Sequence, residues 1–331
     1  MKKALGFSLA LIFILMMAGT LQAKPFYEGK VIKLVVTTKP GGGYDWYGRL
    51  VARYMEKNLP GSTVIVKNIP GGGHIIGTNY IYRAKPDGLT FGTFNRAVGL
   101  TQVVGLKGVQ FDFSKFGWLG SPCSELYAYI VNAKKYKNIE EVLKTDKIRL
   151  AAEGLGSVSY VNPLMMYQAL GLENFHISTG YSGAEMEMAL MRGEADGMWG
   201  SIGSRQAVLD SGEGRAVLLV GRNRPEELKD VPFIGEILKE KKFQPVVNLL
   251  RGLQLVGRPF AAPPNMPPDR LKILREAFKK AMHDPEALAL AKKADRAMDF
   301  VEFEEVEDWA KGHFELTPAI VAKLKEAYGV K

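Results

Sequence analysis

VIKLVVTTKPGGGYD, residues 31–45, is an apolar strand-like run closed by Pro40 and three consecutive glycines, with a helix-like pattern behind it. TVIVKNIPGGGHIIG, residues 63–77, repeats the design about thirty positions later. Two strand-turn-helix units of one kind predict two loops side by side at the carboxyl edge of one sheet, where α/β folds bind ligands. Glycine lets a ligand approach the backbone closely, and the free N–H groups of a helix start attract negative charge. The natural guest is an anion, most simply a carboxylate. The plain alternative is that the glycines only make tight turns.

Working outward, residues 44–58 place Leu50, Val51 and Tyr54 on one helical side, with Arg49 and Arg53 four apart on another. Asp45 falls in the first turn, where it complements the helix dipole and is expected to fix the loop rather than to catalyse. A second helix over 75–83 leads into the Pro86-Asp87-Gly88 turn and a third strand over 89–94, so Asn95 and Arg96 stand at the same sheet edge. Arg96 is read either as a forked contact to a carboxylate or as a solvated loop arginine. A Gly-Ser-Pro turn near 120–122 marks a crossing, after which short strands at 148–152 and 175–179 alternate with helices at 159–170 and 184–192. Pro163 is assigned to the first turn of its helix. The run 252–260 is read as the return to the first domain, and the tail as amphipathic helices.

The 331 residues exceed the usual size of one core, so two domains are expected. Residues 1–23 carry Lys2 and Lys3, an uncharged apolar run and a small, polar close, which reads as a secretory signal peptide; Leu21 leaves an uncleaved anchor as the alternative. No later segment is long and apolar enough to suggest a membrane helix, so a periplasmic address is expected. Cys123 is the single cysteine and is expected to be a small buried residue. The net charge of +9 suits an acidic solute, whereas an exported protein without a basic cluster interleaved with aromatics is not expected to bind nucleic acid.

These motifs support a family resemblance. The chain resembles the extracytoplasmic substrate-binding receptors of tripartite tricarboxylate transporters, the Bug-type receptors, through Pro40-Gly41-Gly42-Gly43-x-Asp45-x-x-x-Arg49, Asn68-x-Pro70-Gly71-x-Gly73 with Gly77, and Ala84-x-Pro86-Asp87-Gly88-x-Thr90. Gly154-x-Gly156-Ser157, Tyr181-Ser182-Gly183 and Gly193-x-x-Asp196 add weaker support. The resemblance implies two α/β domains of periplasmic-binding-protein architecture, each a mostly parallel or mixed sheet flanked by helices, closing over one solute by hinge motion. The expected division is 24–124 for the first domain, 125–254 for the second and 255–331 for the return to the first. The implied function is capture of a small carboxylate or dicarboxylate, carrying an aromatic or amino group among the alternatives, and its delivery to the membrane subunits of such a transporter. No cofactor, metal or catalysis is implied, and the receptor is expected to be a monomer.

Carried over residue by residue, the first-domain contacts are Gly42, Gly43, Tyr44, Asp45, Gly72, Gly73 and His74. The second-domain contacts are Ser157, Ser159, Tyr181 and Ser201. Asn95, Arg96 and Glu153 join these from their places at the loop ends. Tyr44 stands where the family commonly has threonine, His74 where it has glycine, and Glu153 where it often has a small polar residue. Glu153 would repel an anion unless protonated or paired; it either points away from the cleft or recognises an amino or hydroxyl group. His74 is read as a hydrogen-bond donor, because no second ligand stands at metal-binding spacing. Tyr44, Trp46, Tyr47 and Trp199 could line a pocket, with Trp46 and Trp199 equally suited to core packing. The competing reading is an exported enzyme or nucleotide-binding protein, since Gly71-x-Gly73-x-x-x-Gly77 loosely matches a dinucleotide loop. Against it, Phe94 and Asn95 occupy the place of the expected acidic residue, and no G-x-S-x-G elbow is present.

Overall fold

The computed structural model describes residues 25–314 and 316–330, so the leader expected at 1–23 lies outside the described residues. The chain opens with β1 (Val31–Val36), α1 (Gly43–Asn58), β2 (Thr63–Asn68), α2 (Ile75–Tyr82), β3 (Thr90–Thr93), α3 (Val98–Val103) and β4 (Gly117–Gly120). It continues with β5 (Tyr127–Asn132), α4 (Ile139–Lys144), β6 (Ile148–Ala152), α5 (Val158–Leu170), β7 (Phe175–Thr179), α6 (Gly183–Met191) and β8 (Gly197–Ser201). After α7 (Gln206–Asp210), β9 (Gly214–Val220), α8 (Ile234–Ile237) and α9 (Gln244–Gly252) comes the return strand β10 (Phe260–Ala262). The helices α10 (Pro268–Met282), α11 (Pro285–Lys293), α12 (Phe303–Gly312) and α13 (Pro318–Tyr328) complete it.

Two mixed sheets result. The first has the order β2-β1-β3-β10-β4, with β1 parallel to β2 and β3, and β10 antiparallel to both its neighbours. The second has the order β7-β6-β8-β5-β9, with β6 parallel to β7 and β8, and β5 antiparallel to β8 and β9. The β-branched run of β1 is buried from Leu34 to Val36, and α1 covers it with Leu50, Val51, Tyr54 and Met55. Gly48 permits that approach, since a Cβ there would lie 2.6 Å from Val36 Cγ2. The close strand-helix fit holds the first glycine loop at the end of the sheet.

Each lobe has its own aromatic packing. Trp118 sits among Phe94, Phe113, Phe116 and Trp309 in the first. In the second, Trp199 stacks on Tyr129 with centroids 4.9 Å apart, which settles Trp199 as core. The last helix reaches back across the molecule, where Tyr328 donates to the Leu155 carbonyl at 2.6 Å and Tyr160 of α5 donates to the Ala327 carbonyl. α5 begins at Val158, so Pro163 lies within the helix rather than in its first turn. There it leaves the carbonyl of Ser159 without its usual helical donor.

Asp196 staples the second lobe. It is buried and accepts from the Arg149 backbone N–H, from two guanidinium nitrogens of Arg149 and from Lys135 Nζ at 2.6 Å. Burial alone would raise its pKa, but these donors outweigh it and hold the carboxyl at about 2. A depressed folded pKa contributes stability above the ordinary carboxylate range, and that contribution is lost as pH falls towards 2. Asp196→Asn should therefore cost about 2 kcal/mol at pH 7, by the worth of hydrogen bonds to charged groups. The penalty relative to the parent should shrink in urea melts as pH is lowered from 4 towards 2, and a pH-independent difference would sink this assignment.

Candidate functional site

The two glycine loops leave the first sheet where the second lobe faces it. α1 begins at Gly43 after Gly42, which offers no side-chain cap, so its first-turn N–H groups lack partners inside the helix. Asp45 fixes this loop. Its carboxylate accepts from Gly41 N and from Asn68 Nδ2, at 3.0 and 2.9 Å, and from both Nε and Nη2 of Arg49 at 3.0 Å. Asn68 also donates to the Thr38 carbonyl, so one carboxylate joins the ends of both glycine strands. Burial would raise the Asp45 pKa, but Arg49, Gly41 and Asn68 bring it below the ordinary value.

In the second loop, Gly73 has φ 59° and His74 has φ 78°, a left-handed conformation that costs a non-glycine residue energy. The His74 ring is buried, with Nδ1 3.1 Å from Thr37 Oγ1 and Nε2 3.6 Å from Glu153 Oε2. Opposite stands the loop after β6. A Cβ on Gly156 would lie 2.2 Å from the Gly73 carbonyl oxygen, and one on Gly73 would lie 2.8 Å from Leu155 N. The two loops thus touch backbone to backbone.

Ser157 and Ser159 are buried and bonded to each other at 2.9 Å, with Ser157 Oγ donating to the Gly154 carbonyl and Ser159 Oγ accepting from Glu153 N. They shape the turn that presents Glu153. Asn95 is buried at the end of β3, and its Oδ1 accepts from Ala97 N and from Val158 N across the seam. Lys39, just before the first glycine run, reaches Glu185 of α6 at 2.9 Å. That carboxyl also accepts from Ser182 N in a capping box, and the Ser182 backbone and Lys39 hold its pKa at about 2. Two cavities open at the seam. One of about 390 Å³ has Lys39 facing Ser178, Tyr181 and Glu185. Another of about 500 Å³ holds Ser201 with Glu125, Gln206, Lys292 and Arg296.

The remaining expected residues, Tyr44 and Arg96, are brought to the crossing between the lobes. Residues 121–126 and 254–258 run side by side there, with Glu125 N donating to the Gln254 carbonyl and Gly257 N to the Cys123 carbonyl. Arg96 is wholly buried, neither solvated nor free. Its Nη1 donates to the Gly257 carbonyl at 2.7 Å, its Nη2 to Gln254 Oε1, and its guanidinium lies 4.9 Å from the Tyr127 ring. Tyr44 is buried too, with its hydroxyl 3.4 Å from the Gly257 carbonyl and its ring 4.3 Å beneath the Arg258 guanidinium. Burial raises the Tyr44 pKa despite Arg96 and Arg258.

Sequence reasoning missed Arg258 and its partner Glu125. Both are at most 6% exposed, and Arg258 Nε lies 2.7 Å from Glu125 Oε1 while Nη2 donates to Ser204 of the second lobe at 3.1 Å. No local pattern marks them, because Arg258 sits in an apolar run and its partner is more than a hundred positions away. Cys123 is buried in the same crossing, and burial pushes its thiol pKa well up, which makes it inert. Trp46 is half-buried, edge-on to Tyr47 and 5.2 Å from the Arg296 guanidinium. Among the described residues no group of three or more His, Cys, Asp and Glu side chains could hold a metal ion.

Comparison with known proteins gives the family and the fold. The model of the tripartite tricarboxylate transporter family receptors matches residues 48–311. A UPF0065 protein of Bordetella pertussis is 26% identical over 286 residues, covering 84% of each chain. One of Agrobacterium vitis is 25% identical over 273 residues, covering 80% of this chain and 75% of its own. Among solved structures, the periplasmic binding protein BugD superposes with a TM-score of 0.76 at 22% identity, over 92% of this chain and 99% of its own. MatC of Rhodopseudomonas palustris, solved with malate, gives 0.71 at 19% identity over 90% and 99%. An R. palustris protein solved with adipate gives 0.72 at 15% identity over 91% and 98%. These structures share the two-domain α/β fold. No helix among the described residues is long and apolar enough to cross a membrane.

Proposed function

This chain belongs to the tripartite tricarboxylate transporter receptor family, and from that membership we propose that it is a periplasmic receptor, exported by its 1–23 leader, that captures a small organic carboxylate between its lobes. The captured solute passes to the membrane subunits of a transporter of that type. The observation that carries this reading is the uncapped start of α1 at Gly42 and Gly43, held by Asp45 beside the second glycine loop and facing the loops of the second lobe. Unpartnered N–H groups at a helix start bind anions, and two lobes joined by paired crossing segments close by hinge motion. The lobes are taken as 24–124 with 255–331, and 125–254. Relatives solved with malate and adipate support a carboxylate guest. Neither catalysis nor a nucleotide is needed, and Asn95, where a dinucleotide site would place an acid, has its side-chain oxygen committed to two backbone N–H groups.

Thermal melting of the purified chain with malate, succinate, adipate, aspartate and glutamate tests the reading. A bound solute at a hundred times its Kd stabilises by about 2.7 kcal/mol, which raises Tm by several degrees. A flat response to every carboxylate, with stabilisation by ATP or NAD instead, would overturn it.

A further inference from the structure

Glu153 is an ionised acid placed inside a site built for anions. It follows β6 directly, and its side chain is 16% exposed at the seam between the lobes. One oxygen, Oε2, faces the first lobe, 3.6 Å from His74 Nε2 and 3.4 Å from Asn95 Nδ2. The other, Oε1, has no hydrogen-bond partner among the described residues and is not one of the buried polar atoms left unsatisfied, so solvent reaches it at the seam. The backbone around it is committed: its N–H donates to Ser159 Oγ and its carbonyl accepts from Gly180 N, beside Tyr181. The turn therefore fixes the main chain at Glu153, and the contacts of Oε2 with His74 and Asn95 orient its side chain.

The groups around Glu153 keep it charged. Burial would raise its pKa, but His74, Arg205 and Arg258 bring it below the ordinary value. His74 meets only Oε2, at 3.6 Å, and leaves Oε1 without a partner among the described residues. The nearby phenols Tyr44 and Tyr127 are buried with raised pKa values and stay uncharged. Arg258 is paired with Glu125 and Arg205 with Glu187. The cleft consequently has two unlike poles: helix-start N–H groups that attract a carboxylate, and an open carboxylate oxygen that repels one and attracts a donor.

We propose that the solute is an amino carboxylate, with its protonated amine on Glu153 and a carboxylate at the glycine loops. The inference rests on the carboxylate-receptor reading and narrows it. Glu153 is its specificity residue, because an ionised acceptor left facing an amine-free acid is both unsatisfied and repulsive.

Isothermal titration of the full purified chain with matched pairs that differ only in the amine tests it: aspartate against succinate, and glutamate against glutarate, at pH 7.5. The amine-bearing member of at least one pair should bind ten-fold or more tighter. In Glu153→Gln that preference should fall below three-fold, whereas Glu153→Asp should retain it; apo melting curves check that both variants fold. Equal or tighter binding of succinate or glutarate overturns the inference and leaves the carboxylate receptor standing. A preference that survives in a folded Glu153→Gln also overturns it. No binding of any of the four acids overturns the inference, and the melting screen with malate and adipate then decides the broader reading separately.

Discussion

Gly156→Val should weaken solute binding at least a hundred-fold while both lobes still fold. A Cβ at Gly156 would lie 2.2 Å from the Gly73 carbonyl oxygen, and the obstacle is backbone, which has no rotamer by which to retreat. Gly156 does not have a left-handed φ, so the substitution strains no local turn. Its cost falls on the contact between lobes. Overpacking typically costs about 1–3 kcal/mol, and a hundred-fold loss corresponds to about 2.7 kcal/mol. Titration with whichever acid stabilises the parent measures the loss, and small-angle scattering should show the variant more open than the parent at saturating solute. Affinity within three-fold of the parent would mean that binding does not require these loops to meet.

The second large effect is on stability. Arg258→Ala should cost about 3–5 kcal/mol, the typical result of removing one partner from a buried ion pair. Glu125, 6% exposed, would be left charged in the crossing between lobes, and the stack of the guanidinium on Tyr44 would be lost with it. Removing both charges together, as Arg258→Met with Glu125→Leu, should recover part of the loss, because the penalty lies in the orphaned charge rather than in the absence of the pair. Urea denaturation of the parent, both single variants and the double variant closes the cycle. A single variant within 1 kcal/mol of the parent would show the crossing to be solvated in solution.

The same arginine explains why Tyr44 could not be placed from its motif. The residue sits inside the glycine run, where a ligand contact is the natural reading, yet its ring is turned under Arg258 and its hydroxyl towards Gly257. Tyr44 thereby couples the start of α1 to the crossing segments. Arg96, whose place at the end of β3 left a carboxylate contact and a solvated loop arginine both open, instead has its guanidinium occupied by the Gly257 carbonyl and Gln254.

Local chemistry was legible where residues close together decide the outcome. Alternating β-branched runs, the glycines after Pro40 and Pro70, and the amphipathic stripe behind Tyr44 determined the strands, both loops and the α/β class, because these depend on backbone sterics and periodicity. Asp45 could be assigned to its loop for the same reason, four residues from Arg49. What only the tertiary structure decided is which side chains meet across the seam and the crossing: His74 with Glu153, Gly73 with Gly156, Arg258 with Glu125 and Tyr44. Those pairings join residues far apart in the chain, and burial gives them their strength by removing the water that would otherwise screen or replace them. No local pattern encodes that removal, so the loops could be read from the sequence, but not the charges that the fold sets around them.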